Sequence, residues 1–511
     1  MSVGLFWGVR RCAVLGLPAI VLMLAGCSTA SSPAVVVPST SVSVQAPVDL
    51  AEFYRQPLTW HDCGGPECAR INVPLDYSDP TAATISISLS RTKATGTPVG
   101  SLFVDPGGPG GSATDYAKAA EAILDPDVLA AYDVVGMDPR GVGGSTGVHC
   151  LTDKQIDLLA ATDTTPADSA AETKAEAVAK LPAVGCGKDP VALHVSTEDV
   201  ARDLDIVRAL VGDPVLNYFG KSYGSMLGIT YAQLFPANVG RMVLDGILPP
   251  DLDLVEVTKG QADAFEVSVR DFVTYCLAQS DCPLTGTVDQ ALAQLRAWLT
   301  GLDAHPLAGG DRPLNEALAS YAVLSYLYFP PDDYVALRAG LFAAMHDGDA
   351  QPLLDLLDAR TSRGPGGKYI DNSTDAFYAV TCLERPYNGT LDDVRKTAAE
   401  WSTTDPTFGS SFAWGMLPCA QWPATAPRVD SVTATTANPI LLVSTTMDPA
   451  TPHQWGLDMA KRIPGARLVT RIGTGHTGYG QGSGCVDTAV DTYLLSGALP
   501  PADQRCDTDH S

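Results

Sequence analysis

The stretch Val215 to Ser225, VLNYFGKSYGS, constrains this chain more than any other. Val215 to Phe219 is a short apolar run of the kind that forms a buried strand. It leads into Gly220-Lys221-Ser222-Tyr223-Gly224, a G-x-S-x-G. Ser225 to Phe235 then has helical character and stops at Pro236. Strand, sharp turn and helix are what a nucleophile elbow requires, with the serine hydroxyl projecting from the turn. The flanking glycines let the backbone turn tightly and the helix pack close. Without that context the motif says little. The chain has 47 Gly, and the pattern recurs at Gly143 to Gly147, where neither strand nor helix adjoins it and a loop is expected. A phosphate-binding P-loop is excluded, because Val215 stands where that pattern needs glycine. The alternative for Ser222 is a serine in an ordinary strand-to-helix turn.

A serine hydroxyl needs a base, and the base needs an acid to hold its tautomer. Behind an elbow of this kind the acid and then the base follow in chain order, each just past a strand. Asn438 to Ser444 reads as a buried strand, and Asp448 follows it. Arg467 to Ile472 reads as the next strand, and His476 follows in Gly-Thr-Gly-His-Thr-Gly. Asp245, one strand earlier, is the competing acid, and His453, in or beside a helix, the nearest rival base. The strand Gly100 to Asp105 ends in Pro106-Gly-Gly-Pro-Gly-Gly111. Beside a serine nucleophile, such a loop can aim backbone amides at a developing oxyanion. Its prolines have no N–H, so the donor is Gly108, with Gly107 in reserve, and the second donor is the amide of Tyr223.

Strands at Thr84 to Ser90, Tyr132 to Asp138 and Arg241 to Asp245 alternate with helices. One helix spans Thr197 to Val211, with Thr197 as its N-cap and Gly212 as its stop. That alternation predicts a mostly parallel sheet covered on both faces. It is lost between Pro249 and Pro423, which reads as an inserted, largely helical lid. A first core part over 50–250, a lid over 251–423 and a second core part over 424–511 follow.

Ahead of the core, Arg10 and Arg11 precede the apolar stretch Ala13 to Leu24, a signal-peptide pattern. Leu24-Ala-Gly-Cys27 resembles a bacterial lipobox, which implies cleavage before Cys27 and lipidation of its thiol. A plain secretory signal is the alternative; either predicts export. Residues 28–49, rich in Ser, Thr, Pro, Val and Ala, read as a flexible tether. Of 12 Cys, Cys12 and Cys27 lie in this leader. The ten others suggest disulfides, the simplest pairing being Cys63–Cys68, Cys150–Cys186, Cys276–Cys282, Cys382–Cys419 and Cys485–Cys506. No CxxC pair occurs and no histidines cluster near the cysteines, so no metal site is expected, and no cofactor. The net charge of −25 argues against nucleic-acid binding and against a polybasic membrane patch. The chain is read as a monomer.

The elbow, the Gly-Gly-Pro-Gly-Gly loop, Asp448-Pro-Ala-Thr-Pro452 and the lipoprotein-like start together resemble the exported tripeptidyl aminopeptidases of actinobacteria. These belong to the α/β-hydrolase superfamily and are related to proline iminopeptidases. The resemblance covers residue 50 to the end. It implies an α/β-hydrolase fold, Ser222 as nucleophile, Asp448 as acid, His476 as base, and the Gly108 and Tyr223 amides as oxyanion hole. It further implies release of short peptides, tripeptides by analogy, from free N-termini, with peptide or protein substrates and no cofactor. Such an enzyme needs a lid carboxylate for the substrate ammonium. Glu384 is the first candidate, followed by Glu316, Asp332 and Asp333. The chain departs from the pattern at Asp105, where many relatives carry Asn or His, and at Thr477, where Gly is usual. A carboxylesterase or lipase with the same three residues, or a non-catalytic surface-binding lipoprotein, are the alternatives.

Overall fold

The computed structural model describes residues 48–429, 433 and 435–508. The leader, the lipidation candidate Cys27 and the tether up to residue 47 lie outside the described residues.

Among the described residues, seven strands precede the insertion: β1 (His61–Asp62), β2 (Glu67–Pro74), β3 (Thr84–Thr92), β4 (Gly100–Asp105), β5 (Tyr132–Met137), β6 (Leu216–Lys221) and β7 (Val239–Asp245). The insertion is helical apart from a short ribbon, β8 (Arg363–Gly364) and β9 (Lys368–Tyr369). Three strands follow it: β10 (Ile440–Met447), β11 (Arg467–Thr474) and β12 (Gln504–Asp507). All but the ribbon form one ten-stranded sheet in the order β1-β2-β3-β5-β4-β6-β7-β10-β11-β12. The β1-β2-β3-β5 edge is antiparallel and every pair from β5 to β12 is parallel.

The sequence dictates this layering. The central strands are apolar almost throughout because both faces are covered. Successive residues therefore enter different cores. Tyr218, Met242, Leu244 and Leu442 pack with Val200, Leu204 and Leu227 on one side. Phe219, Val243, Leu441 and Val443 pack with Val128, Val490 and Tyr493 on the other. The antiparallel β3 instead alternates between buried and partly exposed residues. The insertion builds a third core of its own around Phe272, Leu295, Leu318, Leu337 and Leu353.

Two details differ from the sequence reading. The helix Thr197–Val211 has those bounds, but Ser196 is its N-cap, accepting from the Asp199 N–H. Thr197 is its first residue and gives its own N–H to Glu384. The edge strand β12 has no counterpart among the expected strands; Gln504 to Asp507 has no apolar run to announce it. It is held by pairing with β11 and by a disulfide from Cys506 to Cys485. The other disulfides join Cys63 to Cys68, Cys150 to Cys186, Cys276 to Cys282 and Cys382 to Cys419.

Candidate active site

The parallel sheet order brings the C-terminal ends of β4, β6, β7, β10 and β11 side by side. Ser222 stands between β6 and the helix Tyr223–Leu234 with φ 56° and ψ −122°. A residue with a side chain rarely adopts that conformation, so the surroundings must impose it. Ser222 N donates to Asp245 O at 2.8 Å, and Ser222 O accepts from Ser225 N at 2.8 Å. Ser225 Oγ lies 2.6 Å from Ser222 O and accepts from Leu248 N, so Ser225 clamps the turn from below. Sequence reasoning missed this role. The glycines are needed for closeness: a Cβ on Gly220 would stand 2.4 Å from Gly224 O.

The glycine loop after β4 lies against this turn. A Cβ on Gly107 would stand 2.9 Å from Tyr223 N and 3.0 Å from Ser222 Cβ. Gly107 N itself donates to Asp105 Oδ1 at 2.7 Å, which commits it. No hydrogen bond from Gly108 N is found among the described residues. Tyr223 is the first residue of its helix, so its N–H has no intrahelical acceptor.

His476 follows β11, and its Nδ1 lies 2.9 Å and 3.0 Å from the two oxygens of Asp448. That contact places the proton on Nδ1 and leaves Nε2 to accept. Asp448, fully buried, also accepts from Ala450 N, Thr451 N, Thr451 Oγ1 and Thr477 N. Burial pushes this carboxyl up, but the imidazole and the hydrogen bonds outweigh it and hold it below the usual range. Asp245 turns elsewhere: it accepts from Gly478 N and Tyr479 N and so supports the loop behind His476. His453 Nδ1 is 2.9 Å from Ser444 Oγ, at the start of a helix. The Ser222 turn and the imidazole meet around Gly246. A Cβ there would be 3.3 Å from His476 Cε1, while Gly246 O lies 3.0 Å from Ser225 Oγ. The second G-x-S-x-G is a loop in which Ser145 Oγ donates to Asp138 O.

The insertion grips both loops. Tyr328 O accepts from His476 N at 2.7 Å. The Tyr328 ring lies edge-on to the imidazole at 5.4 Å, and the Phe329 ring at 6.5 Å, the latter partly exposed. The helix Ser373–Glu384 abuts the glycine loop, its Ser373 O 2.7 Å from where a Gly110 Cβ would be. Of the lid carboxylates, Glu384 is buried at the end of this helix, with Oε1 2.5 Å from Thr197 N. Its Oε2 has no hydrogen bond among the described residues and lies 4.0 Å from Arg385 Nη1. Asp333 is paired with Arg360 and accepts from Phe329 N, and Asp332 is exposed. Glu316 lies with Asp163 and Asp303 instead.

Both departures from the family pattern have physical correlates. Asp105 is buried behind the glycine loop, and burial pushes its carboxyl up to about 7. Thr477 has φ 69°, a left-handed conformation that glycine adopts freely, and its Oγ1 is buried without a hydrogen-bond partner among the described residues. Thr477→Gly should therefore stabilise the fold by about 0.5–1 kcal/mol, read from the urea midpoint. Destabilisation would show that the Thr477 methyl, packed against Gly246, outweighs the strain.

Residues 101–335 match the family described as alpha/beta hydrolase fold, and residues 405–506 match TAP-like protein. Serine protease Hip1 of Mycobacterium tuberculosis is 32% identical over 483 residues, covering 88% of this chain and 91% of that protein. Carboxylesterase B of the same species is 34% identical, covering 86% of each. The tripeptidyl aminopeptidase of Streptomyces coelicolor is 30% identical, covering 90% of this chain and 88% of its own. The chain thus belongs to the family of TAP-like α/β-hydrolases that includes these proteins, and it is a serine hydrolase.

Proposed function

We propose that this protein is an exported peptidase that removes short peptides, tripeptides by analogy, from free N-termini through Ser222, His476 and Asp448. The observation that carries this reading is the His476 Nδ1–Asp448 contact across β10 and β11, with Ser222 on its strained turn at the end of β6. Nε2 takes the Ser222 proton as Oγ attacks the peptide carbonyl, and returns it to the leaving amine. Gly108 N and Tyr223 N receive the oxyanion. Water then attacks the acyl-enzyme, with His476 again as base. The relatives named serine protease and tripeptidyl aminopeptidase favour an amide substrate. Five disulfides suit an oxidising compartment. The lipobox at Cys27 would tether the enzyme to the outer face of the membrane. Among the described residues no helix is long and apolar enough to cross a membrane.

A carboxylesterase is the second reading, favoured by the relative of that name. The chain from residue 28 onward, beside its Ser222→Ala variant, separates the two. Fluorophore release is measured from free-amino tripeptide amides, their N-blocked forms and short acyl esters. Turnover of the free-amino peptides alone, absent in the variant, is expected; turnover of esters alone would make it an esterase.

We assign the substrate ammonium to Oε2 of Glu384, which lies 4.0 Å from Arg385 Nη1 without a hydrogen bond among the described residues and beside Tyr223. Glu384→Gln should raise KM for free-amino peptides roughly 10–100-fold, the worth of a charged hydrogen bond, and leave ester turnover unchanged. If both substrates weaken together as the melting temperature falls, Glu384 is only a cap on the helix that starts at Thr197.

A further inference from the structure

Away from the catalytic loops, three carboxylates converge from three separate segments. Asp163 lies in the loop after the helix Asp153–Ala160, Asp303 in the last turn of the helix Val288–Ala304, and Glu316 in the first turn of the helix Glu316–Ser325. One carboxylate oxygen from each lies within 4.8 Å of the other two. Among the described residues none of the three forms an ion pair.

This arrangement opposes itself unless something positive enters it. Like charges this close repel, and an acid in the last turn of a helix faces the negative end of the helix dipole. Glu316 is 4% exposed and turns into the cluster. Its Oε1 accepts from Ser320 Oγ, but its Oε2 is buried with no hydrogen-bond partner among the described residues. A buried carboxylate oxygen without a partner costs about 1–3 kcal/mol or more. The frame around it is fixed: Asn315 Nδ2 donates to Ala161 O at 2.8 Å, and Asp163 Oδ1 holds Thr165 N at 2.7 Å.

We propose that Asp163, Asp303 and Glu316 bind a divalent cation of the calcium type. The ligand set is all oxygen, which suits a hard cation. The three oxygens lie within 4.8 Å of one another, close enough to meet on one ion, and three protein carboxylates exceed the one or two that magnesium usually takes. Asp303 is exposed, so water can complete the shell from that side. Bound there, the cation joins the loop at Asp163 to two helices of the insertion and neutralises their repulsion. The sequence reading, which sought Cys and His ligands, had no route to it, because the three acids are 140 and 13 residues apart.

The test uses the whole chain, stripped with EDTA and dialysed. Calcium chloride is titrated at pH 7.5 while thermal unfolding is followed, beside Asp303→Asn and Glu316→Gln. Calcium at a hundred times its Kd should raise the Tm by roughly 3 °C. Calorimetric titration should give one site, and both should be lost in the two variants. Because Asp303 is exposed, Asp303→Asn should fold even if Glu316→Gln does not. No calcium-dependent shift in the wild type, or the same shift in Asp303→Asn, would overturn the proposal. A larger response to magnesium than to calcium would overturn the calcium assignment.

Discussion

Asp448→Asn should lower kcat about 10⁴-fold, and Ser222→Ala about 10⁶-fold, with little change in KM. The two losses have different origins. Without Ser222 there is no nucleophile. In Asp448→Asn the shape survives, but the amide group can present N–H to His476 Nδ1, forcing the proton onto Nε2, where it can no longer accept from serine. Four further donors, at Ala450 N, Thr451 N, Thr451 Oγ1 and Thr477 N, point at the same side chain. An amide has one acceptor oxygen for them, so this site selects a carboxylate. Steady-state kinetics on a tripeptide amide reads both. Asp448→Asn with more than a tenth of wild-type kcat would remove Asp448 from the mechanism, and Asp245→Asn should then be tried.

The second large effect concerns Asp105. Burial first, and then the charge of Asp138, push this carboxyl up from 3.8 to about 7, with the Gly107 N–H pulling part of the way back. The folded protein thus keeps a proton that the unfolded chain releases near pH 4. Below that pH both states are protonated and the site is neutral to stability. As pH rises through 4 to 7 the unfolded state gains, and folding loses up to about 4 kcal/mol at 1.36 kcal/mol per pH unit. Above 7 both states are ionised and the loss stops growing. Asp105→Asn keeps an acceptor for Gly107 N and removes the charge. Its advantage over wild type should be near zero at pH 4 and largest above pH 7, measured by urea unfolding across that range. The same variant should hold kcat/KM above pH 7, where a carboxylate behind the oxyanion loop opposes the developing charge. An advantage that does not vary with pH would mean Asp105 is neutral, or ionised, throughout.

The placement of the proposed site residues was legible because strand C-terminal ends carry them. Val215 to Phe219 and Asn438 to Ser444 are short, mostly apolar runs of the length a buried strand needs, and Ser222 and Asp448 follow them within four residues. The helix at Thr197 shows the limit. Ser196 and Thr197 cap equally well by type, and the choice was made by Glu384, 187 residues away, which took the Thr197 N–H. Ser225 was invisible for a related reason: its hydroxyl acts on Ser222 O and Leu248 N through the fold, and a serine in a helix carries no signature of that. The helical character of the segment between β7 and β10 was legible from the loss of alternation, but not where that segment would touch the loops. Tyr328 reaches His476 through a backbone carbonyl, which every residue possesses.

That carbonyl bears on how such enzymes diversify. An insertion that sets substrate choice is the natural part to exchange between relatives. Here it also fixes the main chain of His476, so under the proposed mechanism specificity and chemistry would not be separate modules. A chimaera carrying a foreign insertion inherits working catalysis only if its donor offers an acceptor at the position of Tyr328 and a ring beside it. Library designs should vary the exposed helices and leave Tyr328 to Pro330 with the body that supplies His476.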